Sequence, residues 1–312
     1  MPRLSVVIPH YNHTQHLAEA VNAIMSQSRR PDEVVLVDDG SEPESLRWVE
    51  NLVAGFPEIR LIRHPENRGV NTAVKTGLAA VTGDFVAFTS ADDRLVSGAV
   101  EKVVRALALN PRTGLVFSDL AEMNEDGSNL QVMSLALANE ARYFAPDEFR
   151  RILRHSFFYF NTGSMWFNTA DLRYFAGFDD RLRWHADLYA AYGIGMLRGA
   201  TYVPSAYACY RRSAGSYSRG RQGRAQIAVL EAWLAKTREP SGWDSRRAFR
   251  DAAVLPDYGF FAVRALRSDR DFITVALVLR IISRTVWGWL RPLLPWGFRR
   301  LVRRIVSRRF DA

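Results

Sequence analysis

Short apolar runs alternate with amphipathic segments through the first 120 residues of the chain. The runs are rich in Val and Ile and occupy residues 4–8, 33–37, 59–62, 84–88 and 114–117. Between them, apolar side chains recur at helical spacing within residues 17–25, 46–53 and 70–81. Buried parallel strands typically form such continuous runs, and helices that cover a sheet show the helical spacing. The pattern therefore predicts an α/β domain with a mainly parallel central sheet.

Polar clusters follow three of the predicted strands, at the same end of each strand. Their sequences are PHYN at 9–12, DDGS at 38–41 and SADD at 90–93. Any single cluster is also compatible with a turn or a helix N-cap. In that interpretation Ser41 would cap the helix after the second strand, and Asp93 would cap a helix from about Val96 to Leu109. Ligands of parallel sheets bind at the carboxyl ends of the strands. Three clusters at equivalent positions therefore favour a binding site.

The chain becomes less regular after residue 120 and helical from about residue 224. The helices predicted in this last part cover residues 224–236, 245–266, 272–290 and 297–309. These changes divide the chain into three predicted segments, 1–120, 121–223 and 224–312.

The composition is that of a protein with a sizeable core, since 48% of the 312 residues are hydrophobic. The single cysteine, Cys209, excludes an intrachain disulfide and favours a reducing compartment. The first apolar run is too short for the core of a signal peptide, so we expect no cleaved leader. The net charge is +9, of which residues 280–312 carry +8 through nine arginines and one acid. Because the other 279 residues are nearly neutral, we expect no nucleic-acid partner.

Asp92 and Asp93 are adjacent carboxylates, which repel each other unless something offsets their charge. Carboxylate oxygens suit Mg²⁺ or Mn²⁺, and such a cation can bridge the oxygens of a diphosphate. Asp39 is a candidate acceptor for a base N–H or a ribose hydroxyl. The chain has neither a GxGxxG nor a GxxxxGKS/T loop, which disfavours a dinucleotide cofactor or ATP-type chemistry.

Four motifs follow one another along the chain: VVIPHYN at 6–12, VDDGS at 37–41, ENRG at 66–69 and TGDFVAFTSADDRL at 82–95. In order and spacing they resemble the inverting glycosyltransferases of family 2, and residues 177–218 resemble the acceptor-side half of that family. The resemblance implies a single Rossmann-like nucleotide-sugar-binding domain of the A-type glycosyltransferase (GT-A) fold, followed here by a C-terminal helical region. Residues 1–120 would then bind the nucleotide sugar, and residues 121–223 would form the acceptor-binding and catalytic half.

The resemblance also implies roles for individual residues. Asp92 matches the metal-binding carboxylate of the family's Asp-x-Asp element, with Asp93 beside it and Mg²⁺ or Mn²⁺ as the cation. Asp187 matches the acid that serves as the catalytic base. The other positions that would contact the donor are Pro9, His10 and Tyr11 at the nucleobase, Asp39 at the base or ribose, and Asn67, Gly69 and Lys75 beside the nucleotide.

The chain departs from the family's pattern at several positions. Ser90 stands where the first acid of the Asp-x-Asp element is expected, and Ala186 stands where the family usually has Glu. The family often has a metal-contacting histidine after a Tyr-Arg pair, whereas no histidine follows His185 in this chain. These departures argue against tight metal binding. Arg211 or Arg212 would then help to neutralise the donor diphosphate, with a solvated pair on a loop as the alternative interpretation.

A single displacement requires a base that takes the proton of the acceptor hydroxyl as the C–O bond forms. Asp187 is the predicted base, and His185 is a rival whose side chain would point away from that of Asp187 on a helix. We therefore expect an inverting glycosyltransferase of bacterial surface-polysaccharide synthesis, with a nucleoside-diphosphate sugar as donor and a glycan or lipid-linked acceptor. The alternatives are a catalytically degenerate nucleotide-sugar-binding subunit and, disfavoured by the missing Gly-rich, lysine-bearing loop, a nucleotidyltransferase.

The tail, residues 272–312, combines an apolar segment with a basic one. Residues 272–290 are apolar apart from Arg280 and Arg284, and residues 298–310 place most arginines opposite an apolar stripe. A basic amphipathic helix near tryptophans is typical of a membrane interface. We therefore expect a cytoplasmic protein bound peripherally to the inner face of the cell membrane, with a helical pair packed on the catalytic domain as the alternative.

Overall fold

The computed structural model of the protein describes residues 1–155, 162–175, 178–212, 223–239, 244–255, 260–273 and 277. The chain forms two compact units. The first consists of Met1–Ala145 and Phe160–Ser216, and the second of Pro146–Tyr159 and Tyr217–Ala312. This division differs from the predicted segments, because residues 146–159 leave the middle segment and group with the C-terminal one.

The described strands belong to one sheet in the first unit. They are β1 Leu4–His10, β2 Glu33–Asp38, β3 Ile59–Arg63, β4 Phe85–Phe88, β5 Arg94–Leu95, β6 Leu115–Met123, β7 Gln131–Met133, β8 Arg142–Phe144, β9 Met165–Asn168 and β10 Ala200–Arg211. Their order across the sheet is β3-β2-β1-β4-β9-β6-β10-β5, with β7 beside β6 and β8 beside β10. β3, β2, β1 and β4 run parallel, and β6 runs parallel to β10. The prediction of a mainly parallel central sheet is confirmed.

Helices alternate with the strands in the first unit and dominate the second. They are α1 Leu17–Met25, α2 Pro43–Ala54, α3 Val70–Ala80, α4 Ala99–Leu109, α5 Pro146–His155, α6 Thr169–Tyr174, α7 Ala186–Arg198, α8 Gly223–Lys236, α9 Ser245–Ala252 and α10 Phe260–Ala265. α1–α4, α6 and α7 lie in the first unit. The first three predicted helices correspond to α1, α2 and α3. α4 begins at Ala99 rather than Val96, after Gly98 in a left-handed conformation (φ 74°).

The core of the first unit explains why its sequence reads as continuous apolar runs. The side chains of Val6, Val7 and Ile8 in β1 are at most 1% exposed, because the sheet is covered on both faces. α3 packs directly on this strand, and a Cβ atom at Gly77 would lie 2.3 Å from Cγ1 of Val7. The helix that starts at the ENRG motif is therefore held tightly against the middle of the sheet.

The second unit contains α5, α8, α9 and α10. α5 buries Phe149 and Leu153, and Nε of Arg154 donates a hydrogen bond of 2.6 Å to the carbonyl oxygen of Asp251 in α9. These contacts explain why α5 groups with the C-terminal helices. The predicted helix 245–266 is interrupted after Ala252, because Ala253 adopts a left-handed conformation (φ 49°, ψ 46°).

Two of the predicted helices lie in the tail, residues 272–312. The predicted helix 297–309 lies outside the described residues, as does the predicted helix 272–290 apart from residues 272, 273 and 277. Among the helices that the structure does describe, none combines membrane-spanning length with a sufficiently apolar sequence.

Candidate active site

A buried hydrogen-bonded pair joins the carboxyl ends of β1 and β2. His10 lies opposite Asp38 in the parallel register, and its Nδ1 is 2.9 Å from Asp38 Oδ1. The backbone N–H of His13 donates to His10 Nε2 at 3.3 Å. Because Nε2 accepts, Nδ1 carries the proton and donates to Asp38. Burial lowers the pKa of His10, and Asp38 opposes this effect only in part, so the ring is neutral at neutral pH.

Ser41 belongs to the same network and does not cap α2. Its Oγ donates to Asp38 Oδ1 at 2.6 Å and accepts from the backbone N–H of Asn12 at 3.0 Å. The N-cap of α2 is Glu42, followed by Pro43 at the first helical position. The interpretation of Ser41 as a helix cap is therefore wrong, because its hydroxyl donates a hydrogen bond to the carboxylate of Asp38 at the end of β2.

The three residues predicted to line a nucleobase differ in exposure. His10 is 2% exposed, and both of its ring nitrogens have partners in the described chain. Pro9 is partly buried, whereas Tyr11 is 45% exposed. Tyr11 therefore presents the largest surface of the three to a ligand, and His10 supports the loop from inside.

Asp39 is 2% exposed, and its carboxylate organises the segment that follows β3. Its Oδ1 lies 2.6 Å from His64 Nδ1 and accepts from the N–H of Arg68 at 3.1 Å. Its Oδ2 accepts from the N–H of Gly69 at 2.7 Å. The VDDGS and ENRG motifs therefore form one structural unit, in which Asp39 holds the residues that precede α3.

Two glycines shape this unit in different ways. Gly40 has a φ of +71°, and a Cβ atom there would lie 2.2 Å from the carbonyl carbon of Glu66. Gly69 has a φ of +90°, serves as the N-cap of α3 and has open space where a Cβ atom would be. Asn67 is exposed, and its Oδ1 accepts from the N–H of Gly69 at 3.0 Å. Asn67 and Gly69 therefore border open space at the start of α3.

Asp92 and Asp93 have different environments. Asp92 is partly exposed, and Ser90 is exposed. Asp93 is 5% exposed, and its Oδ1 accepts from the backbone N–H of Arg211 at 3.0 Å. Burial, and then the charge of Asp92, raises the pKa of Asp93 to about 8. The interpretation of Asp93 as a cap of α4 is wrong, because its carboxyl joins the loop to β10 and the N-cap of α4 is Gly98.

Of the two carboxylates in the loop after β4, one is suitable as a ligand of a divalent cation. In the part of the chain that the structure describes, no group of three or more His, Cys, Asp and Glu side chains is arranged to hold a metal. Asp92 is partly exposed, so its carboxylate is the one that would hold a Mg²⁺ or Mn²⁺ ion. Asp93 fits less well, because it is buried and already accepts a backbone N–H. Asp93 is therefore the less suitable of the two carboxylates, and its role as a metal ligand stays a prediction.

Arg211 is 1% exposed, and its guanidinium connects three separate segments. Nε donates to the carbonyl oxygen of Asp92 at 2.9 Å, and Nη1 donates to that of Glu125 at 2.7 Å. Nη2 donates to the Glu19 carboxylate in α1 at 2.5 Å. The interpretation as a solvated arginine is therefore wrong for Arg211, and these bonds direct its guanidinium to the protein rather than to a diphosphate. The side chain of Arg212 is 63% exposed and pairs with Glu122.

Asp187 lies in the first turn of α7 and is partly exposed. Thr162 Oγ1 donates to its Oδ2 at 2.6 Å, and the N–H of Leu188 donates to its Oδ1 at 2.7 Å. The 3-10 turn Thr162–Ser164 contacts β4, the strand that leads towards Asp92. His185 precedes α7 and is 1% exposed, so of these two candidate bases Asp187 is the one with accessible surface.

Two contacts join α3 to the segment before α7. Lys75, predicted to contact the donor, is partly exposed and forms an ion pair with the exposed Asp180, and its contact with the donor stays a prediction. Nδ2 of Asn71 donates to the carbonyl oxygen of Arg183 at 3.0 Å. The segments that follow β3 and precede α7 are therefore neighbours in the fold.

Sequence reasoning missed three residues of this region: His64, Asn71 and Thr162. His64 follows β3 directly, so the rule that singled out polar residues after the other strands would have found it. No comparable signal marks Asn71 or Thr162, because their partners lie 112 and 25 residues away along the chain.

The sequence model of Glycosyl transferase family 2 matches residues 5–175, which is more than half of the chain. A protein of Campylobacter jejuni, the GalNAc(5)-diNAcBac-PP-undecaprenol beta-1,3-glucosyltransferase, is 31% identical over 106 residues. The aligned region covers 34% of this chain and 34% of that protein. The chain spans less than half the length of curated relatives that it matches.

Two solved structures show the same fold. Residues 1–349 of TarS from S. aureus, in complex with UDP-GlcNAc, superpose with a TM-score of 0.65 at 18% identity, covering 99% of this chain and 88% of that one. The mannosyltransferase PcManGT from Pyrobaculum calidifontis, in complex with GDP-Man and Mn²⁺, gives a TM-score of 0.59 at 21% identity, covering 98% and 86%. The predicted GT-A type of fold is confirmed. With the family match over residues 5–175, this likeness leads to one conclusion: the chain belongs to glycosyl transferase family 2.

Proposed function

We propose that the protein is an inverting glycosyltransferase that moves a sugar from a nucleoside-diphosphate sugar to a hydroxyl group of a glycan or lipid-linked acceptor. One observation carries the proposal: two partly exposed carboxylates stand on segments that meet at β4. Asp92 follows this strand, and Asp187 is hydrogen-bonded to Thr162, whose turn contacts the strand. A single displacement needs one group near the leaving diphosphate and another near the acceptor hydroxyl, and these carboxylates supply both.

The donor would bind along the carboxyl ends of β1 and β2. The exposed ring of Tyr11 suits a nucleobase, and the open space beside Gly69 admits the rest of the nucleotide. Asp39 would act mainly by shaping the loop, since its two oxygens already accept from three N–H groups. The UDP-GlcNAc and GDP-Man complexes of the two similar structures support a nucleoside-diphosphate sugar without favouring one base.

Asp187 would act as the general base. The acceptor oxygen forms a bond to the anomeric carbon while the bond from that carbon to the diphosphate oxygen breaks, and the electron pair leaves with the diphosphate. The acceptor proton passes to the carboxylate of Asp187. The hydrogen bonds from Thr162 and from the N–H of Leu188 fix the orientation of this carboxylate before the reaction.

Asp92 would hold a divalent cation together with the donor. Such a cation neutralises the charge that develops on the leaving diphosphate. The partial exposure of Asp92 and the Mn²⁺ in the PcManGT complex support this role. Arg212 is the exposed cation that would assist at the diphosphate, whereas Arg211 would act by holding the Asp92 loop in place.

We further propose that the acceptor is linked to a lipid and that the tail holds the protein at the cytoplasmic face of a bacterial membrane. The name of the Campylobacter jejuni relative and the +8 charge of residues 280–312 support this. The test replaces Arg299, Arg300, Arg303 and Arg304 with Gln in the full chain. Sedimentation with anionic vesicles at low salt should fall sharply in this variant, and equal sedimentation of both proteins would overturn the proposal.

A catalytically degenerate nucleotide-sugar-binding subunit is the second candidate, favoured by Ser90 in place of an acid. The deciding experiment incubates the protein with Mn²⁺ and a panel of nucleotide sugars and candidate acceptors, and in a second reaction with sugar phosphates and nucleoside triphosphates. Release of nucleoside diphosphate supports a glycosyltransferase, release of pyrophosphate from a sugar phosphate and a nucleoside triphosphate indicates a nucleotidyltransferase, and binding without turnover indicates the degenerate subunit. Asp92→Ala should abolish release in a folded protein, whereas the control Ser90→Ala should retain it.

A further inference from the structure

Arg183 has a backbone conformation that suits glycine. Its φ of 46° and ψ of −121° lie outside the left-handed helical region, and the residue interrupts the 3-10 segment Asp180–His185. A side chain in such a region costs about 1–3 kcal/mol and persists only where neighbouring contacts enforce it. Since the side chain of Arg183 is exposed, burial of that side chain does not account for the strain.

A buried amide from α3 holds this turn in place. Asn71 is 9% exposed, and its Nδ2 donates to the carbonyl oxygen of Arg183 at 3.0 Å. One turn further along α3, Lys75 pairs with Asp180. At the end of the helix, Arg173 Nη2 donates to the carbonyl oxygens of Leu78 and Val81, each at 2.7 Å. α3 is therefore joined to the segment that leads into α7 through Asn71 and Lys75, and to α6 through Arg173.

The strained turn lies between two parts of the proposed site. On one side, α3 starts at Gly69, whose N–H is held by Asp39. On the other side, the chain continues through Trp184, which is 8% exposed, and reaches Asp187 four residues after Arg183. The turn at Arg183 sets the direction in which α7 begins. An altered turn would therefore move the carboxylate of Asp187, and a displacement of about 1 Å at a reacting group costs roughly 100-fold in rate.

We propose that Asn71 is a positioning residue: it fixes the strained turn at Arg183 and thereby places Asp187. This inference rests on the proposed function, in which Asp187 is the base. It connects the donor side of the site to the base, because the helix that carries Asn71 is the one whose start is organised by Asp39.

A double-mutant cycle tests the inference with Asn71→Ala, Arg183→Gly and the combination of both in the full chain. Glycine has no Cβ penalty at this φ and ψ, so the turn needs less support from Asn71 once Arg183→Gly is present. We expect Asn71→Ala to lower kcat about 10- to 100-fold with the Kd for the donor changed less than about threefold. In the Arg183→Gly background, the factor by which Asn71→Ala lowers kcat should be at least five times smaller. Thr72→Ala, which removes the polar side chain next to Asn71 in α3, is the matched control and should change kcat less than threefold.

Equal kcat losses in the two backgrounds would overturn the inference, as would a lower melting temperature without a change in kcat. Amide hydrogen exchange gives a readout that does not depend on turnover. The backbone amides from Trp184 to Leu188 should exchange faster in Asn71→Ala than in the wild-type protein, and unchanged exchange there would overturn the positioning role. If the wild-type protein transfers no sugar from any donor, the proposed function fails, and the exchange result still decides whether Asn71 holds the turn.

Discussion

Nδ1 of His64 lies 2.6 Å from Oδ1 of Asp39, and Nε2 of the same ring lies 2.9 Å from Oγ1 of Thr76 in α3. An ionised carboxylate only accepts hydrogen bonds, so Nδ1 carries a proton. The imidazole therefore connects the carboxylate at the end of β2 to the helix whose start that carboxylate also holds. With the N–H groups of Arg68 and Gly69, His64 makes Asp39 a rigid support for the residues that precede α3.

The pair His64→Asn and His64→Gln separates the two bonds of this ring. An Asn amide reaches the position of Nδ1, whereas a Gln amide reaches the position of Nε2. We expect His64→Gln to lose the bond to Asp39 and to cost about 1.5–3 kcal/mol of unfolding free energy, with weaker donor binding. His64→Asn should cost less than half of that. Denaturant unfolding and donor titration would measure both, and a larger loss in His64→Asn would contradict the assignment.

Ser90→Asp should strengthen cation binding. Ser90 is exposed two residues before Asp92, so an added carboxylate can reach an ion there without loss of packing. We expect the Mn²⁺ concentration for half-maximal activity to fall about tenfold, since a second carboxylate adds a hard oxygen ligand. Ser90→Asn has the same shape without the charge and should leave this concentration unchanged. An equal effect of both substitutions would argue against an ion at Asp92.

Asp187→Asn should lower kcat by roughly 10²–10⁴ and leave donor binding intact, because it removes the proton acceptor and keeps the shape. Thr162→Val removes the hydroxyl that donates to Asp187 Oδ2 and should lower kcat about tenfold through a less well fixed carboxylate. His185→Gln should cost less than Asp187→Asn in kcat. The reverse order, with His185→Gln inactive and Asp187→Asn active, would transfer the base role to the histidine.

Alanine at Gly40 and at Gly69 should have different consequences. Both glycines have positive φ, so each substitution carries a backbone cost of about 1–2 kcal/mol. At Gly40 the new Cβ atom would also lie 2.2 Å from the carbonyl carbon of Glu66, so the backbone must move and the total cost should exceed about 3 kcal/mol. Thermal unfolding of the two variants checks this order, and equal losses of stability would show that the loop of Glu66 adjusts freely.

The protonation of His10 should make stability depend on pH. Its ordinary pKa of 6.5 is lowered in the folded protein, mainly by burial. The unfolded chain therefore binds the proton more readily than the folded one, and the associated stability is complete above about pH 6.5 and lost as pH falls towards the folded pKa. We expect the free energy of unfolding to decrease between pH 7 and pH 5. His10→Asn should make this decrease shallower, and an unchanged slope would assign it to other groups.

The sequence was sufficient to predict the sheet and to place the polar clusters of the proposed site at the carboxyl ends of its strands. Runs such as Val34–Val37 are buried on both sides, so hydrophobicity alone marks them as strands. The sequence was not sufficient to distinguish the roles of neighbouring charged residues. Asp92 and Asp93 differ by a single position, yet one faces solvent and the other faces the backbone of Arg211, 118 residues further along the chain. Contacts at such separations depend on the packing of β5 against β10, which no local pattern encodes.

The position of Arg211 along the chain has a consequence for how the protein is synthesised. Arg211 ends β10, yet its guanidinium and N–H are what tie α1, the Asp92 loop and Asp93 together. A nascent chain that has emerged from the ribosome only as far as β9 already contains Tyr11, Asp39 and Asp92. It lacks Arg211 and therefore the hydrogen bonds that this residue makes. Donor affinity should therefore arise late and abruptly during synthesis, once residue 211 has left the exit tunnel, rather than growing with the length of the emerged chain.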